Sequence, residues 1–140
     1  MWRSSAGLHW RNTWDLRTDP CTDGWHGVMC DHDGHIVELN LSSNGLLGFL
    51  PRSLGTLVHL RKLHLNDNLL SGPVPVSTEK LFQLTSVNLS KNKLTGPLPA
   101  YFATLSDVVL MHLAGNDWDE KLLPDSYLQL EAKGVDTWVL

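Results

Sequence analysis

Apolar residues return along this chain in short alternating groups, apolar then polar then apolar, and each group is followed at a fixed distance by an asparagine. Leu39, Leu41, Asn44 and Leu46 form one group, Leu63, Leu65, Asn68 and Leu70 a second, and Val87, Leu89, Asn92 and Leu94 a third. Met111, Leu113, Asn116 and Trp118 form a fourth. The asparagines stand at 44, 68, 92 and 116, a constant step of 24 residues. A fixed period of that size decides the architecture before any local reading. One copy is too small to bury its own apolar face, so copies stack and share one interior. The alternation predicts a short strand in each copy, with its apolar residues inward and the intervening ones toward solvent. Stacked in register, the strands make a parallel sheet.

The recurring asparagine has a structural role in this arrangement. Its amide can pair with backbone N–H and C=O groups of the turn that would otherwise be buried alone, at about 1–3 kcal/mol each. Asn44, Asn68, Asn92 and Asn116 therefore read as a structural ladder and not as ligand residues. Behind each of the first three comes a glycine–proline signature: Gly48 and Pro51, Gly72 with Pro73 and Pro75, Gly96 with Pro97 and Pro99. Glycine permits a tight bend, and proline marks a position at a turn or sheet edge. Apolar residues then recur at Leu54, Leu57 and Leu60, and at Phe102, Leu105 and Val108. That three-residue spacing suits a short helical or 3-10 turn on the convex side. Thr78 stands where its neighbours carry Leu54 and Phe102, and predicts looser packing there.

The pattern L-x-L-x-x-N-x-L-x-G-x-[LIV]-P followed by L-x-x-L-x-x-L resembles the plant-type leucine-rich repeats. That family includes receptor-like kinase ectodomains, their co-receptors and the polygalacturonase-inhibiting proteins. The resemblance runs from about Trp10 to Trp118 and implies an α/β right-handed solenoid capped at both ends. It divides the chain into an N-terminal cap (1–36), four repeats (37–118) and a C-terminal cap (119–140). The stretch containing Trp14, Asp19, Pro20, Cys21, Trp25, Gly27, Val28 and Cys30 is similar to the family's N-terminal cap, in which two cysteines are joined and tryptophans cover the first repeat. Two cysteines alone could equally be free buried thiols. The cap resemblance implies a Cys21–Cys30 disulfide, worth about 2.5–3 kcal/mol on a chain-entropy basis. A disulfide in turn implies an oxidising compartment, hence an extracellular or cell-surface location. Asp31, His32, Asp33 and Gly34 read as a tight turn into the strand at Ile36.

At the other end the repeat loses its glycine to Glu120, and its proline moves to Pro124. Leu122, Leu123, Leu128, Leu130 and Trp138 are available for burial, and predict an irregular cap. The second cysteine pair that the family often places there is missing from this chain. The cap works by packing alone, or the chain is part of a longer array.

Charge and composition narrow the function. A formal net charge of −4 without a Lys/Arg-rich stretch argues against nucleic acid and against anionic membrane surfaces. No apolar run is long enough to cross a bilayer, so this segment is not expected to insert in a membrane. Residues 1–5 lack the apolar centre of a secretory signal, so an export signal would lie upstream. Seven histidines raise the question of metal. His32 and His35 beside Asp31 and Asp33 are better explained as polar turn residues, and His64 and His112 stand two strands apart, roughly 10 Å, too far to share a zinc. Neither a metal nor a cofactor is expected. Nor does the chain carry a nucleophile elbow, a phosphate loop, a dinucleotide fingerprint or a zincin helix, so it is not expected to be an enzyme.

What remains is the concave face. Its solvent-facing positions are Glu38, Asn40 and Ser42; Lys62, His64 and Asn66; Ser86, Asn88 and Ser90; and Leu110, His112 and Ala114. In the family this face is where partners dock, which implies a protein or peptide partner and a chain that is monomeric by itself. Leu110 breaks the polar grid and is expected to be covered by the C-terminal segment. Four strands span only roughly 15 Å, giving a few hundred square ångströms against the roughly 800 Å² that each side of a standard interface supplies. The resemblance implies a receptor- or co-receptor-like ectodomain; the alternative is a secreted inhibitor of a cell-wall-degrading hydrolase, which the small face disfavours. Asn40-Leu41-Ser42 and Asn88-Leu89-Ser90 both have the form of N-glycosylation acceptors.

Overall fold

The 24-residue period becomes one turn of a path that the chain repeats, strand by strand, around one apolar interior. The structure is a computed structural model and describes residues 9–121 and 124–140. Residues 1–5, Leu122 and Leu123, named above, lie outside the described residues. In chain order the strands are β1 (Val28–Cys30), β2 (Ile36–Asn40), β3 (Leu47–Phe49), β4 (Lys62–His64), β5 (Leu69–Gly72), β6 (Ser86–Asn88), β7 (Lys93–Gly96), β8 (Leu110–His112), β9 (Asp117–Trp118) and β10 (Asp136–Trp138). The concave sheet has the order β1-β2-β4-β6-β8-β10, parallel throughout except for the antiparallel pairing of β1 with β2. Its apolar rungs Leu39, Leu63, Val87 and Met111 pair in register. None is more than 1 % exposed, and Leu41, Leu65, Leu89 and Leu113 beside them are fully buried. The alternation thus places one face of every strand in the core.

The asparagines form a ladder that ties each repeat to the next. Asn92 Nδ2 donates to the carbonyls of Leu65, Leu89 and Ser90 at 3.0, 3.1 and 3.3 Å, while its Oδ1 accepts the N–H of Leu70 at 3.0 Å. Asn68 and Asn116 make the equivalent bonds one repeat earlier and later. Asn44 closes the series against the cap, where its Oδ1 accepts the N–H of Asn12 at 2.8 Å and its Nδ2 donates to the Asn12 carbonyl. The residue before each asparagine takes the left-handed conformation: Ser43, Asp67 and Lys91 at φ 53°, 56° and 54°, and Gly115 at 74°. Only the glycine does so without the steric cost, about 1–2 kcal/mol, that a Cβ brings. The amide ladder holds the others in that bend.

The glycine-bearing segments are more than bends: β3, β5, β7 and β9 pair as a second parallel sheet on the adjoining side. Prolines follow these strands and stay out of the ladder, consistent with their missing N–H. Where the fourth repeat carries Glu120 in place of glycine, its carboxylate accepts the N–H of Leu98 at 2.8 Å, so the pairing continues past the point where the sequence pattern ends. The third side consists of 3-10 turns at Arg52–Thr56, Val76–Lys80 and Ala100–Thr104, in keeping with the three-residue spacing. Loose packing at Thr78 is not found. Its side chain is fully buried, its hydroxyl donates to the Pro75 carbonyl at 2.6 Å, and it pairs with the Tyr101 hydroxyl. A small polar residue is tolerated in the core because both of its hydrogen-bonding roles are filled.

Both ends are closed. At the N-terminal end the Trp14 and Trp25 rings stack at 4.8 Å and Trp10 meets Trp14 edge-on at 5.2 Å. Cys21 and Cys30 are joined. The loop between them starts in a turn held by Asp19, whose carboxylate accepts the N–H groups of Cys21 and Thr22 at 2.8 and 2.9 Å. Those bonds hold its carboxyl below the usual carboxylate range, the Thr22 N–H contributing most. The turn at residues 31–34 joins β1 to β2, with Gly34 at φ 80°. At the C-terminal end the cap is regular and not irregular: helix α1 (Asp125–Ala132) buries Tyr127 and Leu130, and β10 adds to the concave sheet. The Tyr127 hydroxyl donates to the Pro99 carbonyl at 2.8 Å, and burial pushes this phenol well above its usual pKa. Leu128 and Trp138 are not buried; they are 47 % and 48 % exposed.

Reduction of Cys21–Cys30, which are nine residues apart, should lower the unfolding free energy by about 2.5–3 kcal/mol. Denaturant melts with and without reductant measure this directly, and superimposable curves would contradict it.

Candidate functional site

Strand pairing brings the outward side chains of the concave sheet into rows. Asn40, His64, Asn88, His112 and Trp138 occupy one register across β2, β4, β6, β8 and β10. Glu38, Lys62, Ser86, Leu110 and Asp136 occupy another. Within the second row Lys62 Nζ lies 3.3 Å from Glu38 Oε2. Between the two rows, His64 Nε2 lies 2.7 Å from Ser86 Oγ, and His112 Nε2 lies 3.2 Å from Asp136 Oδ2. Burial lowers the pKa of His64, outweighing the opposite pull of Glu38, so this imidazole is a neutral hydrogen-bonding group at pH 7.

A third row lies beyond the strands. Ser42 Oγ sits between Asn40 Oδ1 at 2.8 Å and Asn66 Oδ1 at 2.7 Å, and Asn66 Nδ2 donates to Asp67 Oδ2 at 2.7 Å. The face is therefore cross-linked by its own hydrogen bonds.

The expected grid comes together with three corrections. Ser86 and Ser90 are only 7 % and 3 % exposed. Ser86 is paired with the larger His64 from the next strand, and Ser90 Oγ donates to Asn88 Oδ1 at 2.7 Å. They support neighbours and offer little surface. Ala114 is buried as well. Glu38, Ser42, His64, Asn66, Asn88 and His112 are half-buried, whereas Asn40 and Lys62 are exposed. Leu110, expected to be covered by the C-terminal segment, is half-buried, with Asp136 of β10 beside it in register.

The face is also wider than four strands, because each cap contributes one. β1 presents Met29, 58 % exposed, and β10 presents Trp138, whose indole meets the His112 ring edge-on at 6.0 Å. Six strands at about 4.8 Å span about 24 Å. Neither residue belonged to the repeat pattern. Asp136 pairs with Leu110 at a 26-residue step, two beyond the period, which hid Trp138. Met29 carried the weaker signal of an outward residue between inward-facing Val28 and Cys30.

The turn cluster behaves as a turn. Ligand-type atoms of Asp31, Asp33 and His35 lie within 4.8 Å of one another. Asp31 Oδ1 accepts the N–H groups of Asp33 and His35 at 3.0 and 2.9 Å, and the His35 ring stacks on His59 at 3.9 Å.

The Leucine Rich Repeat family matches residues 35–57, 59–81 and 83–105, in step with the three full repeats of the fold. The chain belongs to the leucine-rich-repeat family. Its relatives place it in the plant type: over 53 residues it is 45 % identical to the receptor-like protein kinase PEPR2 of Arabidopsis thaliana, a match spanning 35 % of this chain and 5 % of that protein. Among solved structures, the ectodomain of the Arabidopsis thaliana receptor kinase SOBIR1 superposes with a TM-score of 0.63 at 30 % identity, covering 71 % of this leucine-rich-repeat chain and 58 % of that one. The PEPR1–AtPEP1 structure superposes with a TM-score of 0.71 at 25 % identity, covering 84 % of this chain and 16 % of that one.

Proposed function

We propose that this leucine-rich-repeat chain is a non-catalytic module that recognises a protein or peptide on its concave face, as an extracellular receptor- or co-receptor-like ectodomain or part of one. Residues 1–36 and 119–140 are its caps, and 37–118 its four repeats. The observation that carries this reading is the in-register row Asn40, His64, Asn88, His112 and Trp138, a polar track that ends in an exposed indole. Exposed aromatic side chains set among polar neighbours are the usual anchors of protein interfaces. The PEPR1–AtPEP1 structure, in which a chain of the same fold is found with a second molecule, supports the reading. The joined Cys21 and Cys30 support an oxidising compartment. Among the described residues no helix is long and apolar enough to cross a membrane. The match to PEPR2 covers 5 % of that protein, so the kinase activity in its name is not carried over.

Even at about 24 Å across, the concave face offers a few hundred square ångströms, less than the roughly 800 Å² of a standard interface side. The partner therefore uses the flanks as well, or meets this chain together with another receptor component.

Capture from matched extracts tests the assignment. The Lys62→Glu, His64→Ala double variant and Trp138→Ala should each lose a specific set of partners by tenfold or more. Val76→Ser, at an exposed position on a 3-10 turn of the other side, should keep them. Identical partner lists for all four proteins would defeat the concave-face reading.

A further inference from the structure

Asn40-Leu41-Ser42 and Asn88-Leu89-Ser90 are the same tripeptide in the same place of two repeats. Their local geometry is also the same. Asn40 Oδ1 accepts the Ser42 hydroxyl at 2.8 Å and its N–H at 3.3 Å; Asn88 Oδ1 accepts the Ser90 hydroxyl at 2.7 Å and its N–H at 3.1 Å. Any difference between them as acceptors must come from their surroundings.

Those surroundings differ sharply. Asn88 lies on β6, inside the sheet with β4, β2 and β1 on one side and β8 and β10 on the other, and is half-buried between His64 and His112 in register. Its serine is 3 % exposed. Asn40 is exposed on β2, next to the cap. On that side its N–H donates to the carbonyl of Gly27 at 2.7 Å, and Gly27 has no side chain to crowd it. An open depression of 430 Å³ lies there, bordered by His26, Gly27, Met29, Glu38, Asn40 and Ser42.

From this contrast we propose that Asn40 carries an N-linked glycan and Asn88 stays bare, so that the glycan stands over the cap side of the concave face and confines partner contact to the side of Lys62, His64, His112 and Trp138. The inference rests on the extracellular reading above, because the sugar donor is met on the export route. In the transfer, the amide nitrogen of Asn40 attacks the anomeric carbon of an oligosaccharide held on a lipid pyrophosphate. The C–N bond forms, the C–O bond to pyrophosphate breaks, the amide gives up one proton, and the lipid pyrophosphate leaves. The step is a group transfer with no change of oxidation state. A folded chain accommodates the product at Asn40 in open space. At Asn88 the sugar would stand directly between His64 and His112, beside which the asparagine is already half-buried.

The test uses the full chain secreted from a plant cell line, with each site read by glycopeptide mass mapping after enzymatic deglycosylation in heavy-oxygen water. Label is expected at Asn40 and not at Asn88. Asn40→Gln should remove the whole glycan mass from the intact protein, and Ser42→Ala, which leaves Asn40 in place, should do the same. Asn88→Gln should leave the mass increment unchanged. Label at Asn88, or an unlabelled Asn40 in the folded secreted protein, overturns the inference. The readout needs no partner. A bare Asn40 on a chain whose partners are still lost with Lys62→Glu and His64→Ala overturns the glycan and leaves recognition standing. A glycosylated Asn40 beside unchanged partner lists supports the glycan and overturns recognition.

Discussion

Asn92→Leu should lower the unfolding free energy by about 3–5 kcal/mol, whereas Lys91→Ala next to it should change it by less than about 0.5 kcal/mol. Leucine has the same branched shape and the same number of side-chain heavy atoms and is no smaller, so the loss is not a cavity effect. It arises because the N–H of Leu70 and the carbonyls of Leu65 and Leu89 lose the amide that answers them in a buried setting. Each such group left alone costs about 1–3 kcal/mol. Lys91 is exposed, and its ammonium lies 3.6 Å from Asp67 in solvent. Alanine keeps the left-handed backbone that Lys91 already adopts at φ 54°. In a thermal melt the leucine variant should unfold about 10 °C or more below the wild type. Equal melting temperatures for the two variants would remove the amide ladder from the account of stability.

A comparable loss is expected for Gly55→Ala, about 2–4 kcal/mol. By propensity alone the change should help, since alanine suits a helical turn better than glycine by about 1 kcal/mol. Packing reverses the sign. A Cβ on Gly55 would lie 2.5 Å from the carbonyl carbon of Ser77, closer still to its oxygen, and 2.8 Å from its Cβ. The obstacle is mostly backbone of the next 3-10 turn, tied down where the Ser77 hydroxyl donates to the Arg52 carbonyl at 2.7 Å. It cannot swing aside as a flexible side chain would. Gly134→Ala provides the contrast: nothing lies within 4 Å, and its only burden is the left-handed φ of 80°. Chemical denaturation of both variants decides the matter, and a Gly55→Ala protein as stable as the wild type would contradict the close approach of the turns.

These two positions mark where sequence reading works and where it stops. Asn92 is legible because its role repeats at 44, 68 and 116 with the same spacing and the same chemistry. Gly55 has no such signature, since the corresponding positions one and two repeats on are Glu79 and Ala103. Only the turn stacked against it makes glycine necessary there. Thr78 teaches the same lesson from the opposite direction. It reads as a defect in an apolar series, yet Tyr101 from the next repeat and the carbonyl of Pro75 make it a satisfied core residue. The concave face follows suit. Strand pairing sets which side chains point outward, and that was readable from alternation. How far each reaches solvent depends on the size of its neighbours, which is why Ser86 sank below His64 of the adjacent strand and Ser90 below Asn88 of its own repeat.

By itself the sequence determined the period, the inward rungs, the asparagine ladder and the outward rows, because each of these is local chemistry repeated at a constant interval. Its resemblance to a known cap also pointed to the joining of Cys21 and Cys30. Only the tertiary structure decided that the glycine segments pair as a second sheet, that a strand at a 26-residue step closes the concave face with Trp138, and that Gly55 has no room for a methyl group. Those features depend on what a residue meets from the adjoining turn of the solenoid. Such contacts follow from stacking, and a one-dimensional pattern carries no record of a neighbour's size or reach.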